Sequence, residues 1–182
     1  MRMGRAVPDG ALAARVLELR DEALKIVRPS QTWRRFPIVE GNLVSGSVHL
    51  VIAGTLARHL ADCRSAYLAC GTLGAGFDTF QRRVSAISGA DALIVQAIGA
   101  ALIEKLMDDI EDKIRASLEP SETLVSRYSP GYGDFPLAAQ RELLSLLDAP
   151  RMVGVSLTDT LLMVPSKSVS AIIGIKEEIP TE

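Results

Sequence analysis

Two cysteines, two histidines and 4% aromatic residues among 182 positions leave little from which to build several common kinds of scaffold or site. Cys63 and Cys70 are too few for a disulfide framework, and their spacing does not match the short loops of a zinc site, so buried thiols are expected. His49 and His59 have no matching ligand set and are read as structural or surface residues. A formal charge of −2 and a pI near 5.8 give no basic footprint for nucleic acid, and Arg34 with Arg35, like Arg82 with Arg83, is only a pair on a solvated surface. Long hydrophobic runs are missing too. The longest uncharged stretch, Gly41 to Ala57, is interrupted by Asn42, Ser45, Ser47, His49 and Thr55, and Met1 to Gly10 carries Arg2 and Arg5 with no apolar run behind them. Neither a membrane helix nor a signal peptide is expected, and the reading is of a cytoplasmic protein.

What is present is ordinary for a globular protein: 48% hydrophobic residues with 23% charged ones, Leu, Ile, Val and Ala supplying the packing. The length suits one domain over residues 1–182. From about Ala11 to Val27, Leu12, Val16, Leu19, Ala23 and Ile26 recur at helical spacing, ending near Pro29. Thr32 to Glu40 reads as a strand with Pro37 inside it, hence an edge strand, since proline cannot donate to a ladder. Val48 to Ala53 and Ser65 to Gly71 read as further strands, with a short helix from Thr55 between them. A helix from about Phe77 to Ile87 follows.

Asp91 is the expected N-cap of the longest helix, running to about Leu118 before Pro120. Its first turns, Ala92 to Ile103, carry no charge and are expected to be largely buried; beyond them Leu102, Leu106, Ile110 and Ile114 continue an apolar stripe on a half-exposed helix. Glu122 to Ser126 reads as a strand, Asp134 and Pro136 open another helix, and Met152 to Leu157, Leu161 to Val164 and Ser168 to Ile175 read as closing strands. The pattern predicts an α/β (α+β) fold, a long buried helix and flanking helices packed on an antiparallel or mixed sheet.

Two loops invite a functional reading. Gly71-Thr72-Leu73-Gly74-Ala75-Gly76 sits between a strand and a helix, but its spacing is not G-x-G-x-x-G and no acidic residue follows where a ribose would need one, so a dinucleotide site is not supported. Arg127-Tyr128-Ser129-Pro130-Gly131-Tyr132 is more informative. A guanidinium at the end of a strand can hold a carboxylate by two parallel hydrogen bonds, and a Pro-Gly turn lets backbone approach a planar ligand. An arginine paired with an acidic neighbour beside a simple type II turn is an equally good reading of the same residues. Tyr128 and Phe135 flank the turn and suit either an adenine or the core. Lys167 reads as a solvated lysine at a strand entrance ahead of any approach to a ligand or corrinoid. Glu104 is the first charge after the uncharged stretch of the long helix, where a carboxylate needs a partner: an ammonium or sulfonium, or a basic neighbour on the helix such as Lys105.

R-x-x-P-G-Y at Arg127 to Tyr132 resembles the signature of the reactivation domain of cobalamin-dependent methionine synthase, in a short stand-alone form. Ser168-Val169-Ser170 after Pro165 resembles that family's closing strand, with Leu157-Thr158 where the family also has Leu-Thr. The similarity is clearest from Arg127 to Ile175 and thinner around Cys70 to Gly74 and Glu104. The resemblance implies S-adenosylmethionine as ligand, with Arg127 on the methionine carboxylate, Ser129, Gly131 and Tyr132 around the adenosine part, and Glu104 as the acidic contact from the long helix; it assigns no catalytic residue.

The implied role is accessory to a methyltransferase: rescue of an oxidised corrinoid by one electron from a flavodoxin-like donor and one methyl group from S-adenosylmethionine. Neither histidine lies in a D-x-H-x-x-G motif, so cobalamin is implied only through a partner, a methionine synthase or corrinoid protein acting in trans. The family's larger members have an extended N-terminal part with a further acidic contact that this sequence does not match. That departure keeps a second expectation open, a non-catalytic binding or scaffold protein of the same fold using the pocket for another metabolite. An independent S-adenosylmethionine-dependent methyltransferase is disfavoured, because no activating base accompanies the motif.

Overall fold

A computed structural model describes residues 10 to 177. The chain runs α1 (Gly10–Ile26), β1 (Ser30–Val39), β2 (Asn42–Ser45), β3 (Val48–Val51), α2 (Gly54–His59), β4 (Cys63–Thr72), α3 (Ala75–Ile87), α4 (Gly89–Arg115) and β5 (Glu122–Leu124). After a turn-rich segment come a 3-10 turn at Leu137–Ala139, α5 (Gln140–Leu146), α6 (Ala149–Val153), β6 (Ser156–Leu157), β7 (Met163–Val164) and β8 (Ser168–Glu177). Six strands form one sheet in the order β3-β2-β1-β4-β8-β5, every pairing antiparallel, and β6 pairs with β7 apart from it. The architecture is the expected α/β (α+β) one, with the sheet antiparallel throughout.

β4 and β8 are buried on both faces, which is why they read as near-continuous apolar runs. Ala66, Leu68, Cys70 and Ile172 point to a core shared with Phe36, Leu43, Leu50, Leu56 and Leu143, whereas Ala69, Ala171 and Ile173 meet Met107, Ile110 and Ile114 of α4 on the opposite face. A third cluster joins Leu19 and Ala23 of α1 to Phe77, Phe80 and Val84 of α3 and to Val95, Ile98 and Ile103 of α4. Cys63 and Cys70 are both free and buried as expected, and burial pushes the Cys70 thiol up to about 12. Among the described residues no helix is long and apolar enough to cross a membrane.

Several expectations need correction. β1 is not at the end of the sheet: it pairs with β4 from Ser30 to Pro37. Yet β2 pairs only Ile38 and Val39, so the other side of β1 is open beside Pro37, and the proline reports an open flank of an inner strand. The strand β2 was not anticipated. Glu40 and Gly41 take φ of 48° and 73°, the left-handed pair that a two-residue hairpin turn requires, and Gly46 at 61° opens the next one.

The N-cap of α4 is Ser88, whose hydroxyl accepts from the Asp91 N–H; the Asp91 carboxylate instead pairs with Arg15 of α1 at 2.7 Å. The first half of α4 is not largely buried. Val95, Ile98, Gly99 and Ile103 are inside, but Leu93 is 74% exposed and Ala97, Ala100 and Ala101 face outward. An uncharged face proved to be a run of small residues at the surface. Met152 and Val153 lie in α6, not in a strand, and only Ser156 and Leu157 of that stretch pair.

Candidate functional site

Glu104, Asp108 and Glu111 lie four and three residues apart on α4, a spacing that stacks their side chains on one face. β5 ends facing them and delivers Arg127 across the gap. Its Nη2 donates to Glu104 at 2.5 Å, and its Nη1 donates to Asp108 at 2.8 Å and to Glu111 at 2.6 Å. Burial alone would lower the guanidinium pKa, but the three carboxylate hydrogen bonds outweigh it and hold the value above the ordinary arginine range. A guanidinium has five N–H donors, so two remain beyond these contacts. The basic partner of Glu104 is therefore not the helix neighbour expected: it is Arg127, from beyond β5, and Lys105 pairs instead with Asp109 at 2.7 Å.

Tyr128 is pinned to β8 by a two-bond bridge with Ile172, both bonds 2.8 Å. Ser129 to Tyr132 then closes a turn, the Tyr132 N–H reaching the Ser129 carbonyl at 3.3 Å with Gly131 at φ 94°, as a type II turn requires. The Gly131 N–H donates to the Phe135 carbonyl at 2.9 Å. Both N–H groups at the tip are thus engaged within the turn. The segment is clamped to α2 from outside. Tyr128 Oη donates to Thr55 Oγ1 at 2.8 Å, and the Thr55 N–H donates to Asp134 Oδ1 at 2.7 Å, with a further short bond from the Thr55 hydroxyl. Asp134 thus secures the start of α2, while the helical stretch expected here opens at Pro136, the N-cap of the 3-10 turn, and continues as α5 from Gln140. A Cβ on Gly133 would lie 2.7 Å from Thr55 Oγ1, so only glycine permits this approach.

These elements enclose a cavity of about 410 Å³, within the range of small-molecule sites. Of the five residues singled out by sequence, Arg127, Glu104, Ser129 and Tyr132 line it; Gly131 shapes the turn without lining it. Tyr128 is on the wall, and Phe135 is buried in the core at 3% exposure. His59 Nε2 lies 2.7 Å from the Ser126 carbonyl, consistent with a structural role. Lys167 is half-buried and not fully solvated, and burial lowers its pKa.

Sequence reasoning missed the rest of the lining. Ser168 and Ser170 reach the cavity from β8; the Ser168 hydroxyl donates to the Pro165 carbonyl at 2.7 Å and lies 2.8 Å from the Thr72 hydroxyl. Gln140, at the start of α5, is 4% exposed, lines the same cavity, and its Oε1 has no hydrogen-bond partner. The signal for it was present: Gln140 stands three and four residues before Leu143 and Leu144, which puts it on the buried face of its helix.

Compared with known proteins, residues 68–179, more than half of the chain, match the family model described as the vitamin B12 dependent methionine synthase activation domain. Among solved structures, the crystal structure of the MetH reactivation domain bound to AdoHcy superposes with a TM-score of 0.67 at 18% identity, covering 95% of this chain and 67% of that one. At that identity the likeness concerns the fold. No curated protein matches the chain.

Proposed function

The chain belongs to the family of vitamin B12 dependent methionine synthase activation domains, and from that premise we propose that its Arg127 cavity binds S-adenosylmethionine for the reductive methylation of a corrinoid carried by a partner. The observation that carries this reading is that Arg127 lines the cavity with two donors to spare, although three carboxylates hold it. Those donors suit the carboxylate of an amino acid. Glu104, on the same wall and 58% exposed at its side chain, suits the ammonium or sulfonium, and three carboxylates around one guanidinium leave the neighbourhood negative toward a cationic ligand. Ser129 and Tyr132 would border the adenosine part, with Gly131 setting the turn that presents them.

The chain's contribution is binding and orientation. The nucleophile for the methyl group would come from a corrinoid on a methionine synthase or corrinoid protein in trans, reduced by one electron from a flavodoxin-like donor. The sulfur–methyl bond breaks with its electron pair left on sulfur, so S-adenosylhomocysteine remains in the cavity. Loss of the sulfonium charge weakens the hold of Glu104 and favours product release.

A second reading, a non-catalytic binding or scaffold protein using the cavity for another metabolite, is favoured by one observation: the N–H groups of Gly131 and Tyr132 are already engaged inside the turn. Calorimetric titration of the full chain with S-adenosylmethionine separates the two. Saturable binding that Arg127→Ala weakens by about 100-fold is expected, and no heat of binding at millimolar ligand overturns the first reading.

A further inference from the structure

A glutamine side chain shut away from water with its carbonyl oxygen unpaired is unfavourable, and native proteins rarely keep one without a partner. Among the described residues three glutamine oxygens are in this state, on Gln31, Gln81 and Gln140. Gln31 and Gln81 are only half-buried, and the Gln81 nitrogen donates to Gln96 at 2.8 Å. Gln140 differs: it is 4% exposed and borders the Arg127 cavity. The charged groups of that cavity, Arg127 and Glu104, are paired with one another, so the buried atom on its wall that has no partner at all belongs to a neutral carboxamide.

Resting on the reading that the cavity takes an S-adenosyl ligand, we propose that Gln140 recognises the 6-amino edge of the ligand's adenine. A carboxamide presents an acceptor and a donor side by side, and adenine offers the complementary pair, the exocyclic amino group next to a ring nitrogen. Oε1 has no exposed surface in the empty cavity, so the carboxamide turns toward the ligand on binding; Oε1 then accepts from the amino group, and the amide nitrogen donates to the ring nitrogen. Leu137, Met163 and Val169 give the cavity apolar wall for the faces of a purine, and Leu137, three residues before Gln140, sets the two on one side of the same turn. On the rest of the wall Ser168 is engaged with Pro165 and Thr72 and the Tyr128 hydroxyl with Thr55, while the hydroxyls of Ser129, Tyr132 and Ser170 each present a single oxygen where the adenine edge needs an acceptor and a donor side by side.

The test compares S-adenosylhomocysteine with its analogue lacking the 6-amino group, titrated into the wild-type chain and into Gln140→Leu, with circular dichroism confirming that the variant keeps its fold. The wild type should prefer the amino form by about 10-fold to 100-fold, and Gln140→Leu should bind both nearly equally. A preference that survives in Gln140→Leu overturns the inference while leaving the S-adenosyl reading intact. Should the wild type bind neither compound, that reading fails, and adenosine against purine riboside then decides the role of Gln140. A preference for adenosine that vanishes in Gln140→Leu upholds it; equal binding, or none, rejects it.

Discussion

Two polar side chains border the same cavity in opposite conditions. Arg127 has three carboxylate partners supplied by one helix, whereas the Oε1 of Gln140 has none. The arginine has a reason to be where it is before any ligand arrives, because Glu104, Asp108 and Glu111 would otherwise repel one another along a single face of α4. The glutamine has no such reason. A leucine at that position would fit the buried face of α5 beside Leu143 and Leu144 and leave nothing unpaired. A well-satisfied group therefore says little about ligands, and an unsatisfied one says more.

The sharpest way to break this contrast is Arg127→Ala in the ligand-free protein. With Glu104 and Asp108 more than half exposed and screened by water, the loss should be about 2 kcal/mol in urea unfolding, less than for a fully buried pair. Arg127→Lys should recover only part of it, since one ammonium cannot bridge as a planar fork does. Unchanged unfolding would remove the structural half of the comparison. Gln140→Leu should move stability the other way, raising it by about 1 kcal/mol without ligand, read as an increase in Tm of roughly 2 to 4 °C.

The smallest effect concerns the clamp behind the turn. The Thr55 hydroxyl and N–H hold the Asp134 carboxyl below the usual carboxylate range. A depressed pKa gives stability that is complete above the unfolded value, near pH 4, and fades as pH falls through the lower folded value. Asp134→Asn should thus melt below the wild type at neutral pH, by an amount that shrinks as pH falls below about 4. A difference independent of pH would show that the charge of Asp134 plays no part.

Much of the fold was legible where one physical demand governs the pattern. The central strands read clearly because both faces are buried, and Glu122 to Ser126 and Ser168 to Ile175 lie on observed strands at their cores. The hairpin of β2 and β3 was written in Glu40-Gly41 and Gly46-Ser47, turn pairs masked by the polar residues around them. The exposure of Leu93, Ala97, Ala100 and Ala101 was not legible: absence of charge on a helix does not distinguish uncharged residues facing water from a face that is packed.

Arg127, Ser129, Tyr132 and Glu104 meet at one cavity because the R-x-x-P-G-Y segment is local and Glu104 is carried by a long helix whose face toward Arg127 follows from its spacing. That Arg127 would satisfy Glu104 itself was hidden, since pairing across 23 positions depends on how β5 docks beside α4. Gln140 was hidden for the opposite reason. Its position on a buried face is visible in sequence, but whether a partner awaits it is decided by the neighbouring elements.

The arginine that faces the cavity also serves as counterion to α4, so it has two independent grounds for persisting through evolution. Loss of Arg127 would be penalised whether or not the cavity holds a ligand, because three carboxylates of α4 depend on it. The presence of that arginine is therefore a poor witness to ligand use, and a residue with no partner in the empty protein, as Gln140 is, is the one to interrogate.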